Sequence, residues 1–278
     1  MAEPPPLTET TIDGPRTRRW FIEAKDCAEL VACRIARLGF DEARAPYRRV
    51  RLRPEGSFLL DCVEGHGRIL LDGRWQRLGA GAVCMAPPRV LNSFHASVGQ
   101  GWSFAWVRYD EPPWVNPLVC AGSPVRAVSG AGEIARIVQG LRVEWEGARD
   151  PQMVHHWVSL LHVSARRLAQ PWRNDDRLRE LWAEVAKNVA AEWSLDSLAR
   201  RAHVSSEHLR RLCLRELGRS PMQHLTSIRI QRAQELLERT TDKLEAIAPE
   251  VGYDSALVFS RAFKRWVGLS PSEYRQRR

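Results

Sequence analysis

With 278 residues, the chain is long enough for two domains that each bury a core. Its 42 Lys+Arg outnumber 33 Asp+Glu, and the net charge of +9 suits a polyanionic partner. There is no apolar run of about eighteen residues, and residues 1–10 lack the basic and apolar parts of a secretory signal, so the chain reads as a cytoplasmic protein without a membrane partner. Cys27, Cys33, Cys62, Cys84, Cys120 and Cys213 form no C-x-x-C pair and have no histidine at zinc spacing. They read as reduced thiols packed as small hydrophobes, with no metal and no cofactor expected.

Residues 1–19, rich in Pro and Thr with a basic end, read as a mobile arm. Residues 20–112 read mainly as β. "PYRRVRLRP" alternates, setting Val50 and Leu52 opposite Arg49, Arg51 and Arg53, and "GWSFAWVRY" puts Trp102, Phe104 and Trp106 on one face. Asp72-Gly73 is a hairpin signal, because both residues tolerate positive φ. Gly65, Gly67, Gly79, Gly81 and Pro87-Pro88 read as punctuation between further short strands, which suits a sandwich or small barrel. Past Pro117 the period changes to helical. Ile134, Ile137, Val138, Leu141 and Trp145 make one stripe, and Val154, Trp157, Val158, Leu161 and Leu168 make another, a hairpin broken at "GARDPQ". The polar stretch "AQPWRNDD" at 169–176 marks a boundary. The map is therefore an arm at 1–19, a β domain at 20–112, a helical hairpin within 113–170, a linker at 171–176 and an all-helical domain at 177–278.

The helical part contains a duplication. "LGRSP" at 217–221 returns as "VGLSP" at 267–271, each behind a short helix, a turn and a second helix. In the first copy Ser194 caps a helix at 195–202, His203-Val204 turn, and Ser205 caps a helix whose inner face carries Leu209, Leu212 and Leu217. In the second, Gly252 makes the turn, Asp254 or Ser255 is the cap, and Phe259, Phe263 and Trp266 or Val267 are buried. Gly218 and Gly268 end the helices, and Ser220-Pro221 and Ser270-Pro271 start the next ones. A helix at about 221–239 joins the copies, with one stripe of Leu225, Ile228 and Leu236 and another of Ile230, Ala233 and Leu237. A helix-turn-helix presents its second helix to the DNA major groove, and two copies facing one side reach grooves about 34 Å apart.

On the outward face of the first copy lie Ser205, Glu207, Arg210, Arg211 and Arg215; the second offers Ser255, Ala256, Leu257, Ser260, Arg261 and Lys264. Arginine makes a bidentate contact to guanine, whereas Ala and Leu touch only a thymine methyl. The first copy is thus expected to read bases and the second mainly to hold phosphates. The alternative for each arginine is a solvated surface charge.

Residues 178–278 resemble the double helix-turn-helix DNA-binding domain of the AraC/XylS family of transcriptional regulators. The resemblance rests on "RIQRAQELL" (229–237), "IAPEVGY" (247–253) and "FSRAFKRWVGLSPSEYR" (259–275). Two residues depart from the family pattern. Leu257 stands where a polar residue is usual, and Pro249 has no N–H for a helix starting near Lys243, so that helix is expected to start late or kink. The N-terminal part resembles the family's cupin-like sensor through "VEGHGRILLDGRW" (63–75), "LGAGAVCMAPP" (78–88) and "GWSFAWVRY" (101–109). The resemblance implies an α+β chain, with a cupin-like β-barrel and helical hairpin followed by the all-α domain of two helix-turn-helix units. It also implies a small-molecule effector (a sugar or related metabolite) in the barrel, a homodimer formed through the hairpin, double-stranded DNA as partner, and contact with RNA polymerase.

Candidate effector residues are Arg51 and Arg53 as polar anchors and Phe94, Trp102, Phe104 and Trp106 as an apolar wall. Phe94, Phe104 and Trp106 fall at or near positions that contact effector in sugar-binding members. The alternative is that these aromatics fill the barrel as core. His66 and His95 lack the His-x-His cluster of metal cupins and read as hydrogen-bonded rim residues. No nucleophile elbow, phosphate loop or dinucleotide fingerprint is present in the sequence, so no catalytic residue is expected. Two rival functions remain: a cupin-type enzyme with a DNA-binding tail, and an architectural DNA binder whose barrel only dimerises.

Overall fold

The computed structural model describes residues 7–112, 114–120, 123, 126–128, 132–169 and 176–276. They form two compact units, one of residues 7–70 and 75–169 and one of residues 176–276. Residues 1–6 of the expected arm, 129–131 of the expected hairpin, 171–175 of the expected linker and 277–278 lie outside the described residues.

The first unit is built on a curled sheet. Its strands are β1 (Thr10–Ile12), β2 (Arg18–Glu23), β3 (Ile35–Arg44), β4 (Arg48–Arg51), β5 (Phe58–Leu71), β6 (Arg74–Gly79), β7 (Ala82–Ala86), β8 (Asn92–Ala96), β9 (Gly101–Tyr109) and β10 (Arg126–Val128). They run in the order β1-β4-β8-β5-β9-β3-β2, with β6 and β7 also on β5 and β10 on β7. Asp72 and Gly73, with φ of 53° and 71°, make the expected β5–β6 turn.

The glycines at 65 and 67 do not end a strand, contrary to the sequence reading. β5 runs 14 residues straight through them. Its first half pairs with β7 and β9 and its second half with β8, across a register shift between Cys62 and Glu64. Gly67 serves close approach: a Cβ there would sit 2.3 Å from the Trp102 ring. The bent strand thereby closes the curl around the aromatic side chains.

The mobile-arm reading of residues 1–19 also needs correction. Thr10 to Ile12 pair with Val50 to Arg48, and Arg18 and Arg19 begin β2 on β3. The cause is a network that local composition does not reveal. Arg49, 2% exposed, donates to the Ile12 carbonyl at 2.6 Å and binds the Asp13 carboxylate. Arg19 joins that same carboxylate at 3.0 Å to Asp41 at 3.2 Å. A short 3-10 turn (Ala24–Asp26) and α1 (Ala28–Ala32) interrupt the region read as β, burying Cys27 and Leu30.

The hairpin is α2 (Glu133–Glu146) and α3 (Pro151–Ala169). Ile134, Ile137, Val138 and Leu141 of α2 and Val154, Val158 and Leu161 of α3 pack in one core with Leu38, Leu59, Val83, Ala105 and Val107 of the sheet. Each such side chain contributes about 1.5–3 kcal/mol. The Asp61 carboxylate accepts the Ala135 N–H at 3.1 Å, seating the start of α2 on β5.

The second unit is helical: α4 (Asp176–Lys187), α5 (Leu195–Arg201), α6 (Ser206–Leu217), α7 (Pro221–Arg239), α8 (Leu244–Glu250), α9 (Ala256–Val267) and α10 (Pro271–Gln276). Its punctuation follows the sequence. Ser194 accepts from the Ser197 N–H, and Ser220 and Ser270 make reciprocal caps with Gln223 and Glu273. Gly218 and Gly268 end α6 and α9 at φ of 68° and 82°. Leu236 differs from its assigned stripe and joins Ile230, Ala233 and Leu237 in the core of the second copy. α8 does not start late. It begins at Leu244, and the proline falls in its last turn, where Val251 N–H reaches the Ile247 and Ala248 carbonyls.

Candidate DNA interface and effector pocket

In α6 the buried Leu209, Leu212, Cys213 and Leu217 turn the opposite face outward. Ser205 caps the helix by accepting the His208 N–H at 3.2 Å. Glu207, Arg210, Arg211 and Arg215 are exposed as expected, and so is Leu214, which the sequence reading passed over. The arginines touch only weak neighbours: Arg210 lies 3.8 Å from Glu207, Arg211 3.1 Å from His208 Nδ1, and Arg215 2.6 Å from Glu216. Exposed pairs of this kind are worth about 0–1 kcal/mol, so the guanidinium groups are available to a stronger partner.

In α9 Phe259, Phe263 and Val267 are buried, and Ser255, not Asp254, is the cap, accepting from Val258 N–H at 3.3 Å. Leu257, Arg261 and Lys264 are exposed, with Ala256 and Ser260 half-buried beside them. Val258 and Arg265 share the exposed face and were missed. Helical spacing from Phe259 and Phe263 was the signal that would have found them.

α7 ties the copies together. Arg229 donates to the carbonyls of Val189 at 3.2 Å and Ala191 at 3.0 Å beside the first copy, and its guanidinium stacks 5.7 Å from the Tyr253 ring in the second. In the first copy His224 is fully buried at 4.4 Å from Trp182, and neither of its ring nitrogens has a partner among the described residues. Burial, reinforced by Arg219, holds its pKa well below the usual histidine range.

Inside the barrel, alternation on β8 and β9 brings the expected aromatics together. Trp102 and Phe104 are 4.3 Å apart, and Phe94 lies 6.1 and 6.2 Å from them. Phe94 also stacks on Phe58 at 5.4 Å, and all four rings are buried. Trp106 is drawn aside, donating to Asp41 at 2.8 Å, which also accepts from the Tyr47 hydroxyl at 2.7 Å. Burial first, and then the Asp41 charge, push the Tyr47 pKa up. Trp102 Nε1 donates to Cys62 Sγ at 3.1 Å, and burial pushes that thiol up to about 11.

The two candidate anchors separate. Arg51 reaches the interior, 5.1 Å over Phe58 and 5.7 Å over Phe94, and its buried Nη1 has no hydrogen bond among the described residues. Burial, followed by the charge of Arg108, lowers its pKa to about 10. Arg53 is not on the alternating strand: β4 ends at Arg51, and Arg53 lies in the bend beyond. A groove of 960 Å³ on the same unit includes Trp102 but none of the other five candidates; Arg16, Arg18, Arg44 and Gln139 are among its walls. His66 contacts Arg77 at 3.2 Å and His95 the Ala96 carbonyl at 3.1 Å. Among the described residues no three His, Cys, Asp or Glu side chains group as a metal site requires, and no helix is long and apolar enough to cross a membrane.

Residues 42–141 match the model of the AraC-like ligand binding domain, and residues 198–277 match that of a helix-turn-helix domain. The chain is 30% identical over 261 residues to the MmsAB operon regulatory protein of Pseudomonas aeruginosa, covering 86% of this chain and 81% of that one. It is 23% identical over 233 residues to the lactose operon transcription activator of Staphylococcus xylosus, covering 79% and 83%. Among solved structures, the C-terminal domain of AraT, a response regulator from Geobacillus stearothermophilus, shares 38% identity over 37% of this chain and 85% of that one, with a TM-score of 0.36. The two domain matches and the Pseudomonas relative, together with the capped duplicate helices and the curled sheet before them, make the chain a member of the AraC family of transcriptional regulators, with an AraC-like ligand-binding domain ahead of a helix-turn-helix DNA-binding domain.

Proposed function

We propose that the protein works as a one-component switch: a small molecule held in the barrel alters how α6 and α9 engage an operator. The observation that carries the DNA side is the exposed Arg210–Arg211–Arg215 face of α6, presented by a helix capped at both ends. In this reading Arg210, Arg211 and Glu207 face base edges, Arg215, Ser205, Ser255, Arg261 and Lys264 hold phosphates, and Ala256, Leu257 and Ser260 approach thymine methyls or sugar. The sensor ends near residue 170 and takes in the strands at Thr10–Ile12 and Arg18–Glu23, and the helical DNA-binding part follows it. The protein acts in the cytoplasm and has no catalytic function of its own. Two copies associate through α3, where Met153, Leu160 and Val163 form an exposed apolar stripe 45–60% accessible. RNA polymerase is a further partner of the DNA-bound dimer.

Operator binding measured between low and moderate salt tests the DNA side: log K is expected to fall, per tenfold rise in salt, by about 0.9 for each phosphate neutralised. A flat salt response sinks it. The packed Phe94–Trp102–Phe104 cluster favours one second reading, in which the barrel only dimerises. Small molecules titrated into the operator complex separate the two, because that reading requires DNA affinity to ignore all of them.

A further inference from the structure

The arginines of the barrel are unequally matched. Arg49 and Arg19 are each bonded to carboxylates, Asp13 for both and Asp41 for Arg19. Arg51 has no such partner among the described residues, and its buried Nη1 donates to nothing. Arg108 stands beside it. Across the β5–β9 ladder Arg108 is opposite Phe58, the ring over which the Arg51 guanidinium lies. Each is further desolvated, and Arg108 raises the cost of charge on Arg51. The carboxylates acting on Arg108 are Glu9 and Glu55, both exposed, and Glu9 is already committed to the Leu52 N–H at 2.8 Å. An unmatched acceptor completes the group. Asn92 is paired with Arg51 across the β4–β8 ladder, 3% exposed, and its Oδ1 accepts from nothing among the described residues.

Two adjacent desolvated cations and an orphaned acceptor are costly in an empty protein. A single ligand relieves all three terms. A carboxylate offers two oxygens in the plane that a guanidinium fork matches, an adjacent donor satisfies the Asn92 oxygen, and Phe58 and Phe94 cover a short carbon skeleton.

We propose that the effector is a small organic acid, a carboxylate bearing a neighbouring hydroxyl or N–H donor, recognised by Arg51, Arg108 and Asn92. The assignment rests on the barrel being the effector pocket and names the class of molecule it takes. It differs from a neutral sugar in requiring charge.

The full chain tests it by calorimetry and thermal melting against a panel of three- to six-carbon hydroxy acids, their amides, pentoses and hexoses, and sugar phosphates. Hydroxy acids are expected to bind at least tenfold tighter than their amides, Arg51→Gln to remove that preference, and Asn92→Ala to remove the preference for hydroxy over plain acids. A second readout needs no ligand. Arg51→Met deletes an unmatched cation, so the empty protein is expected to melt about 2–4 °C higher. If Arg51→Met melts lower, the arginine is a structural residue and the proposal falls. If neutral sugars or sugar phosphates bind and Arg51→Gln leaves them unaffected, the acid class is wrong while the pocket stands. If no class on the panel shifts melting or operator affinity, the pocket reading fails and the proposal with it.

Discussion

In α6 the exposed face carries Arg210, Arg211 and Arg215, whereas in α9 Leu257 and Val258 occupy the first turn and the cations Arg261, Lys264 and Arg265 follow. Yet the two helices are built alike. Each has a serine cap, an apolar inner row and a glycine in the left-handed region at its end. The comparison separates what holds a recognition helix from what it reads. Caps and inner rows recur because the backbone demands them, while the outer face is free to differ. The cores differ as well. In the second copy the Tyr274 hydroxyl donates to Glu238 at 2.7 Å and accepts from Gln234 at 3.2 Å, although the Tyr253 hydroxyl is unpartnered there among the described residues; in the first, both ring nitrogens of His224 and Trp182 Nε1 are unpartnered among the described residues.

The sharpest way to break this comparison is to strip one helix. Arg211→Ala is expected to cost about 1–3 kcal/mol of operator affinity and to relax choice at one base position. Lys264→Ala should weaken all sequences alike and lower the salt slope by about one unit. Binding measured on operators randomised one position at a time distinguishes them, and the assignment is reversed if Lys264→Ala is the variant that loses base preference.

The second test uses the unequal cores. His224 stays neutral in the folded chain because burial lowers its pKa, while in the unfolded chain it titrates near 6.5. Below that pH the unfolded state takes up a proton that the folded state refuses, so stability falls as pH falls. The slope from this group is about 1.4 kcal/mol per pH unit, continuing down to its folded pKa. Denaturant melts of the parent and His224→Phe between about pH 7.5 and 5 should diverge by that slope. Parallel curves would show that the imidazole is protonated in place.

The smallest expected effect is at α9. Leu257 is 61% exposed, so Leu257→Ala leaves stability almost unchanged. It should cost operator affinity less than about 1 kcal/mol, confined to sites with a thymine under the helix. Replacing that thymine by uracil, which lacks the methyl, should erase the difference between the two proteins.

The helical unit was legible because its signals are local. Ser205, Gly218, Ser220 and Pro221 each act on backbone groups within four residues, and the sequence displays them side by side. The barrel was less legible because its decisive partners are distant. Asp13 and Arg49 are 36 positions apart, and their bond turns a Pro- and Thr-rich segment into strand. Gly65 and Gly67 looked like strand ends because alone they weaken a strand; the Trp102 ring that Gly67 makes room for lies far along the chain. Arg51 and Arg53 were equivalent by alternation until the end of β4 separated them, and Arg108 gave no sign, since its neighbour across the barrel comes from another strand.

The Arg229 bridge has a consequence for the operator. One side chain grips carbonyls beside the first copy and packs under the second, and a Cβ at Gly252 would lie 2.5 Å from its guanidinium. α6 and α9 are therefore held at one spacing, like the points of a locked calliper. An extra base pair between their two sites lengthens the duplex by about 3.4 Å and rotates it. On the proposed reading, with both helices in the groove at this spacing, the duplex has to bend or untwist, and the stiffness of bases that neither helix touches enters the affinity.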